Sequence, residues 1–175
     1  MDALEAIKKR RSVRSFLDTK VERKDLLTIL EAGLTGPSAC NRRPWEFVVV
    51  EDRTTLDALS KGNLAAKPLL SAPLAIVVMG NTDKAIRRAP LYWTEDASAA
   101  TENMIIAASS SLFFGSLWMG VWPEEEKIRR VREVLSVPEN IVPFSILALG
   151  YPKDEGSPMW TKSEDREKAI HWGKW

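Results

Sequence analysis

Lys8, Lys9, Arg10, Arg11 and Arg14 put five cations into seven residues. Ser12 stands among them with a hydroxyl and a backbone N–H. Together these groups can hold a phosphate: each guanidinium fork takes two oxygens, and the hydroxyl and amide donors take what remains. The same run also fits a solvated charged face that ends a helix. A second polar set lies in Gly36-Pro37-Ser38-Ala39-Cys40-Asn41-Arg42-Arg43-Pro44-Trp45. Gly36, Pro37 and Pro44 limit the shape of this loop, and Pro44 and Trp45 can anchor it. Ser38 and Asn41 can then meet the edge of a flat heterocycle. Taken on its own, the loop fits a tight helix-to-strand connection better. Cys40 lies in it, close in sequence to Arg42 and Arg43, and a reactive thiolate needs such a neighbour or a base. His171, the one histidine, is distant near the C-terminus. A Cys–His pair could arise only through the fold, and a packing or surface role suits His171 better.

Several patterns are missing. There is no G-x-G-x-x-G and no P-loop, so neither a Rossmann nor a Walker nucleotide site is indicated. One histidine and one cysteine, with no H-E-x-x-H, leave no His- or Cys-rich metal site within one chain. The acidic residues form no catalytic pair. An enzyme lacking such motifs leaves its chemistry to a bound cofactor. The formal net charge of +1 shows no global basic signature of a nucleic-acid binder. No apolar run approaches the roughly 20 residues that span a bilayer, and no leader pattern is visible, so a cytoplasmic protein without membrane contact is expected.

The elements that must position these groups follow from the apolar pattern. At 175 residues, one domain over 1–175 is expected. Asp2 can cap a first helix, with Glu5 completing a capping box and Leu4 and Ile7 on one face. A second helix is predicted over about 22–34, with Leu26, Ile29, Leu30, Gly33 and Leu34 on one stripe. Residues 46–50 read as a strand, 53–60 as a short surface helix and 61–73 as irregular. Leu74–Met79 is an unbroken apolar run and reads as a buried strand. A long helix is predicted from Thr94 to about Phe114, apolar on most sides, so that a second subunit is expected to cover part of it. A strand over 117–122 precedes Pro123, which opens a helix with Glu124, Glu125 and Glu126 in its first turn. Glu125–Arg129 and Glu126–Arg130 are favourably spaced pairs. A last strand is predicted over 145–149. Trp160, Trp172 and Trp175 make an unusually apolar tail that is expected to pack on something. By pattern alone, strands alternating with helices suggest a doubly wound parallel sheet.

The run Arg10-Arg11-Ser12-Val13-Arg14-Ser15-Phe16 resembles the N-terminal signature of the nitroreductase family. The loop at 36–45 resembles that family's second signature, at the expected distance. The strand at 74–79, the helix segment at 96–108, the stretch 115–123 and the turn Leu149-Gly150-Tyr151-Pro152 match in order, so the resemblance spans the chain. It implies an α+β fold with a central mixed, mainly antiparallel sheet flanked by helices, in an intertwined homodimer. It implies FMN at the subunit interface, two per dimer. Arg10, Ser12 and Arg14, with the backbone of Arg11, would hold the phosphate and ribityl chain. Pro37, Ser38 and Asn41 would come from the partner subunit and lie against the ring. Asn63 would contact the ring edge, and the backbone of Gly120, Val121 and Trp122 would line the other side. Lys162 or Arg166 would add a cation at the phosphate, although the surrounding residues depart from the usual pattern. Arg43 replaces a common glutamine and adds positive charge near the ring or the entrance.

The implied activity is an FMN oxidoreductase of the ping-pong type. NADH or NADPH would reduce the flavin at N5, and a small acceptor such as a nitroaromatic or a quinone would reoxidise it, with no catalytic side chain. Another FMN reaction on the same scaffold, such as dehalogenation, dehydrogenation or flavin fragmentation, is an alternative. A non-catalytic flavin- or phosphate-binding regulator is the reading from another class. A nucleic-acid module would rest on residues 8–14 alone and would show strongly salt-dependent binding.

Overall fold

The computed structural model describes residues 2–61, 64–110, 114–154 and 168–175. Five helices, α1 (Ala3–Lys9), α2 (Arg23–Leu34), α3 (Arg53–Ser60), α4 (Tyr92–Ser110) and α5 (Glu125–Leu135), surround four strands, β1 (Trp45–Val50), β2 (Leu74–Asn81), β3 (Gly115–Gly120) and β4 (Ile141–Gly150). The strands make one sheet in the order β1-β2-β4-β3.

Every pairing in this sheet is antiparallel. This overturns the parallel sheet that pattern alone suggested and agrees with the mainly antiparallel sheet that the resemblance implied. Among the described residues the one parallel pairing is an isolated bridge between Ser12 and Ser116. The unbroken apolar run in β2 has a different cause. Successive side chains of a strand point to opposite faces. Ala75, Val77 and Met79 enter the core beneath α3 and α5, while Leu74, Ile76 and Val78 enter the core beneath α2 and α4. Helices on both faces, rather than parallel pairing, make the strand apolar throughout. β4 divides in the same way, with Ile146 and Ala148 on one side and Phe144, Leu147 and Leu149 on the other.

The Asp2 carboxylate caps α1 by accepting from the Glu5 N–H at 2.8 Å. α2 buries Leu26, Ile29 and Gly33, but Leu34 is exposed, so the expected stripe ends one residue early. Residues 64–70, expected to be irregular, form a 3-10 turn. The long helix starts at Tyr92, earlier than predicted, and its described part ends at Ser110. Glu124 flanks α5 instead of lying inside it. The expected Glu125–Arg129 and Glu126–Arg130 pairs are replaced. Arg129 bridges Glu126 and Glu133, and Arg130 reaches the Ala58 carbonyl at 3.0 Å. Arg129 between two carboxylates satisfies both sides of its fork, which Glu125 alone would not.

In the tail, His171 stacks on Trp175 with ring centroids 4.2 Å apart. Trp172 and Trp175 are nonetheless 90% and 101% exposed. Within one chain these tail rings meet no core. Trp160 and Phe113 lie outside the described residues. No described helix is long and apolar enough to cross a membrane.

Candidate flavin site

The first half of the candidate site is the segment after α1. The helix stops at Lys9, and Arg10 turns to extended backbone. The chain is then tied to the sheet. The Val13 N–H donates to the Ser116 carbonyl at 2.9 Å, Leu17 N–H to Tyr151, and Lys153 N–H to Ser15. Val13 and Phe16 are buried. Ser12 and Arg14 flank Val13, and side chains alternate along extended backbone, so both face away from the core. Gly115 permits the close approach: a Cβ there would meet Val13 Cγ2 at 2.6 Å. Arg10, half-buried, lies 3.7 Å from the Glu102 carboxylate on α4. Arg11 donates to the Asp154 carbonyl, and exposed Arg14 donates to the Ser12 carbonyl at 3.4 Å. Arginines and a serine hydroxyl are thus gathered on a strap whose shape the sheet sets.

Ser12 pairs with the start of β3, and Gly120 ends that strand, about 13 Å away at roughly 3.3 Å per residue. β3 is an edge strand. Gly120 is exposed, and a Cβ there would meet nothing within 4 Å. Packing within the chain therefore does not demand this glycine. Val121 and Trp122 both donate their N–H groups to the Phe144 carbonyl at 3.0 Å, and the Val121 carbonyl accepts from Glu124. Trp122 packs edge-on against Trp93, 5.2 Å between centroids. Of this stretch, the open face of Gly120 is what remains for a flat ligand. Phosphate donors at one end and a bare glycine at the other fit a molecule with a phosphate, a chain and a planar ring.

The second half is the loop between α2 and β1. Pro44 and Trp45 are buried and anchor it, whereas Pro37 and Asn41 are exposed and Ser38 is half-buried. Three non-glycine residues adopt left-handed backbone: Cys40 at φ 51°, Asn41 at 53° and Arg43 at 48°. Such conformations are uncommon and cluster at functional sites. The Ser38 hydroxyl accepts from the Arg43 N–H at 3.0 Å, and Arg43 Nε donates to the Asn41 side-chain oxygen at 3.0 Å. Asp96, in the first turns of α4, accepts from the Ala39 N–H at 2.8 Å. Asp96 as a residue is 6% exposed, and burial pushes its pKa above the usual aspartate range, partly offset by the Ala39 bond. Cys40 is exposed.

The two halves fasten to different turns of α4. Arg10 attaches to α4 at Glu102 and the loop attaches at Asp96. Six residues at 3.6 per turn separate these by about 240° around the axis. Asn63, Lys162 and Arg166 lie outside the described residues. Sequence reading missed Asp96 as the fastening point of the loop. An acid beside Ala97 and Ala100 on an apolar helix face was the available signal. No cluster of metal ligands occurs among the described residues. A cavity of about 610 Å³ lies elsewhere, near Phe16, Glu51 and Arg53. The Arg53 fork there is already spent on Asp57 and the Ala72 and Leu69 carbonyls.

The nitroreductase family model matches residues 7–92 and 57–151. A protein of Archaeoglobus fulgidus, provisionally named NADH dehydrogenase/NAD(P)H nitroreductase, is 42% identical over 175 residues, covering 99% of both chains. An FMN-dependent nitroreductase of Clostridium difficile is 32% identical, with TM-score 0.86 over 98% of this chain and 99% of its own. A structure from Desulfovibrio desulfuricans, described as a provisional nitroreductase in complex with FMN, is 27% identical, with TM-score 0.80 over 95% of each chain. The chain belongs to the nitroreductase family, and its α+β fold is that family's fold. Family and relatives together make it an oxidoreductase.

Proposed function

We propose that this chain is an FMN-dependent oxidoreductase that takes electrons from NADH or NADPH and passes them to a small acceptor such as a nitroaromatic or a quinone. The observation that carries the reading is the strap. It turns Ser12 and Arg14 outward from a backbone hydrogen-bonded to β3 and to the end of β4, beside Arg10 and Arg11.

Arg10, Arg11, Ser12 and Arg14 bind the phosphate and ribityl chain through charge-assisted hydrogen bonds. Gly120 leaves room for the ring at the end of β3, beside the Val121–Trp122 backbone. Pro37, Ser38 and Asn41 of a second subunit close over the ring. Asn63 and Lys162 add a ring-edge contact and a further cation. FMN, when bound, supplies reversible two-electron chemistry at its ring, so no side chain need act as nucleophile. The protein's part is to hold the ring, exclude water and set the charge around it.

A homodimer is supported by three observations. The strap and the loop fasten to different sides of α4. Leu4, Ile7, Leu27 and Leu34 lie exposed on α1 and α2. Trp172 and Trp175 are bare. Residues 1–175 act as one FMN-binding domain in the cytoplasm. Purified protein is expected to be yellow, to bleach under NADH or NADPH without air, and to elute as a dimer. Colourless protein that takes up no added FMN would contradict the reading.

A further inference from the structure

A second basic concentration lies beside the ring-side loop, and the site above makes no use of it. Residues 82–90 follow β2. The Ala89 N–H donates to the Ile86 carbonyl at 2.9 Å, closing a turn with Arg87 and Arg88 at its two central positions. Both arginines are exposed. Arg42 is the residue after Asn41, and its Nε donates to the Lys84 carbonyl at 3.0 Å. That bond fastens the loop to this segment and leaves both terminal amino groups of Arg42 for another partner. Arg42 and Arg87, with Thr82, Asp83 and Pro90, line a cavity of about 440 Å³.

The neighbouring carboxylates are already engaged. Glu46 holds Lys84 at 2.6 Å, and Asp83 accepts from Asn140 at 2.7 Å. Among the described residues Arg42, Arg43, Arg87 and Arg88 form no ion pair. Arg42 and Arg87 thus share one cavity with a single carboxylate, Asp83, which the Asn140 amide holds, and Arg43 and Arg88 are their chain neighbours. Arginine forks match phosphate oxygens bidentately. Nitroaromatics and quinones are uncharged and have no use for such a corner. The electron donor differs: its nicotinamide must reach the ring beside Ser38 and Asn41, and its adenosine end must trail across the adjoining surface.

We propose that Arg42, Arg87 and Arg88, assisted by Arg43, form a phosphate-recognition corner that takes the 2′-phosphate of the donor, so that the enzyme prefers NADPH to NADH. The inference rests on the reading of the chain as a nicotinamide-dependent flavin enzyme. It requires the donor to run outward past Arg42 on the subunit that lends the loop.

The test uses flavin-loaded wild-type protein and the double variant Arg87→Ser/Arg88→Ser, whose replaced side chains are exposed. Calorimetric titration with 2′,5′-ADP and with 5′-AMP reads the corner without any turnover. The 2′-phosphate is expected to tighten binding about tenfold or more in the wild type, a gap that closes in the variant. Anaerobic stopped-flow reduction is expected to show the matching preference for NADPH, with the NADPH to NADH ratio of kcat/KM falling about tenfold in the variant. If 2′,5′-ADP binds no better than 5′-AMP while both donors bleach the flavin equally, the corner is overturned and the oxidoreductase reading stands. If neither donor bleaches the flavin, that reading has failed, and the titration still decides whether the corner takes phosphate.

Discussion

The strap at 10–17 is held by main-chain bonds to the sheet, whereas the loop at 36–45 keeps three left-handed residues in place through side chains. The strap's anchors are the main chains of Ser116, Tyr151 and Lys153, joined by one side chain, the Ser71 hydroxyl, which accepts from the Phe16 N–H at 3.3 Å. The loop adds the side chains of Asp96, Ser38 and Asn41 to main-chain turn bonds from the Asn41 N–H to Ser38 and from the Arg42 N–H to Ala39. Left-handed backbone at a non-glycine residue costs about 1–2 kcal/mol, so Cys40, Asn41 and Arg43 lean on those bonds. The difference teaches where each half can fail. Removing a strap cation should harm the ligand and spare the fold. Removing a loop fastening should harm the fold first and the ligand through it.

The largest effect is expected at the strap. Arg14→Ala should weaken FMN binding about 10- to 100-fold, the loss of a charged hydrogen bond or two. The melting temperature of flavin-free protein should stay put, because the side chain is exposed. Fluorescence titration and calorimetry would read the two quantities, and a large loss of stability would erase the contrast between the regions. Next comes Gly115→Ala, which adds a Cβ 2.6 Å from Val13 Cγ2. It should cost about 1–3 kcal/mol and lower flavin content, although every cation stays in place.

Asp96→Ala should cost about 1–3 kcal/mol in denaturant unfolding, since the Ala39 N–H loses its partner in a part-buried position. Asp96→Asn keeps an acceptor and removes the buried charge. The Asp96 pKa is raised in the fold, so the folded state binds this proton more readily than the unfolded chain. The contribution of Asp96 to stability is therefore greatest in acid and is lost as pH rises through the raised value. Asp96→Asn should match or exceed the wild type at pH 7, with the gap shrinking on acidification. A gap that widened in acid would show that charge, not acceptance, holds the loop. The smallest effect is expected from Cys40→Gly. It relieves the left-handed strain and should raise stability by about 0.5 kcal/mol, because glycine's lost entropy offsets part of the gain. Unchanged flavin content would separate the loop's shape from its thiol.

The cations around Ser12 were legible as a cluster because charge density survives in a linear chain, and residue types alone fitted either a phosphate grip or a solvated helix end. β2 was legible as a strand from its apolar run. Its pairing direction was not, because alternation says which face a residue takes and nothing about the neighbour's direction. The loop's backbone was hidden for a similar reason. Cys40 and Arg43 are not the residues that announce left-handed conformations, and Asp96 lies more than fifty residues away in sequence. In α5, spacing permitted the Glu125–Arg129 pair, but Arg129 found a two-sided partner instead. The corner at Arg42 and Arg87 depends on a long-range approach, and periodicity carries no trace of it.

The grip of the strap on a phosphate is tested most directly by comparing FMN with riboflavin, which shares the ring and chain but lacks the phosphate. Equilibrium titration of flavin-free protein should show riboflavin binding about 100-fold more weakly or worse, with most of that gap gone in Arg14→Ala. Equal affinities for the two flavins would mean that Arg10, Arg11, Ser12 and Arg14 hold no phosphate.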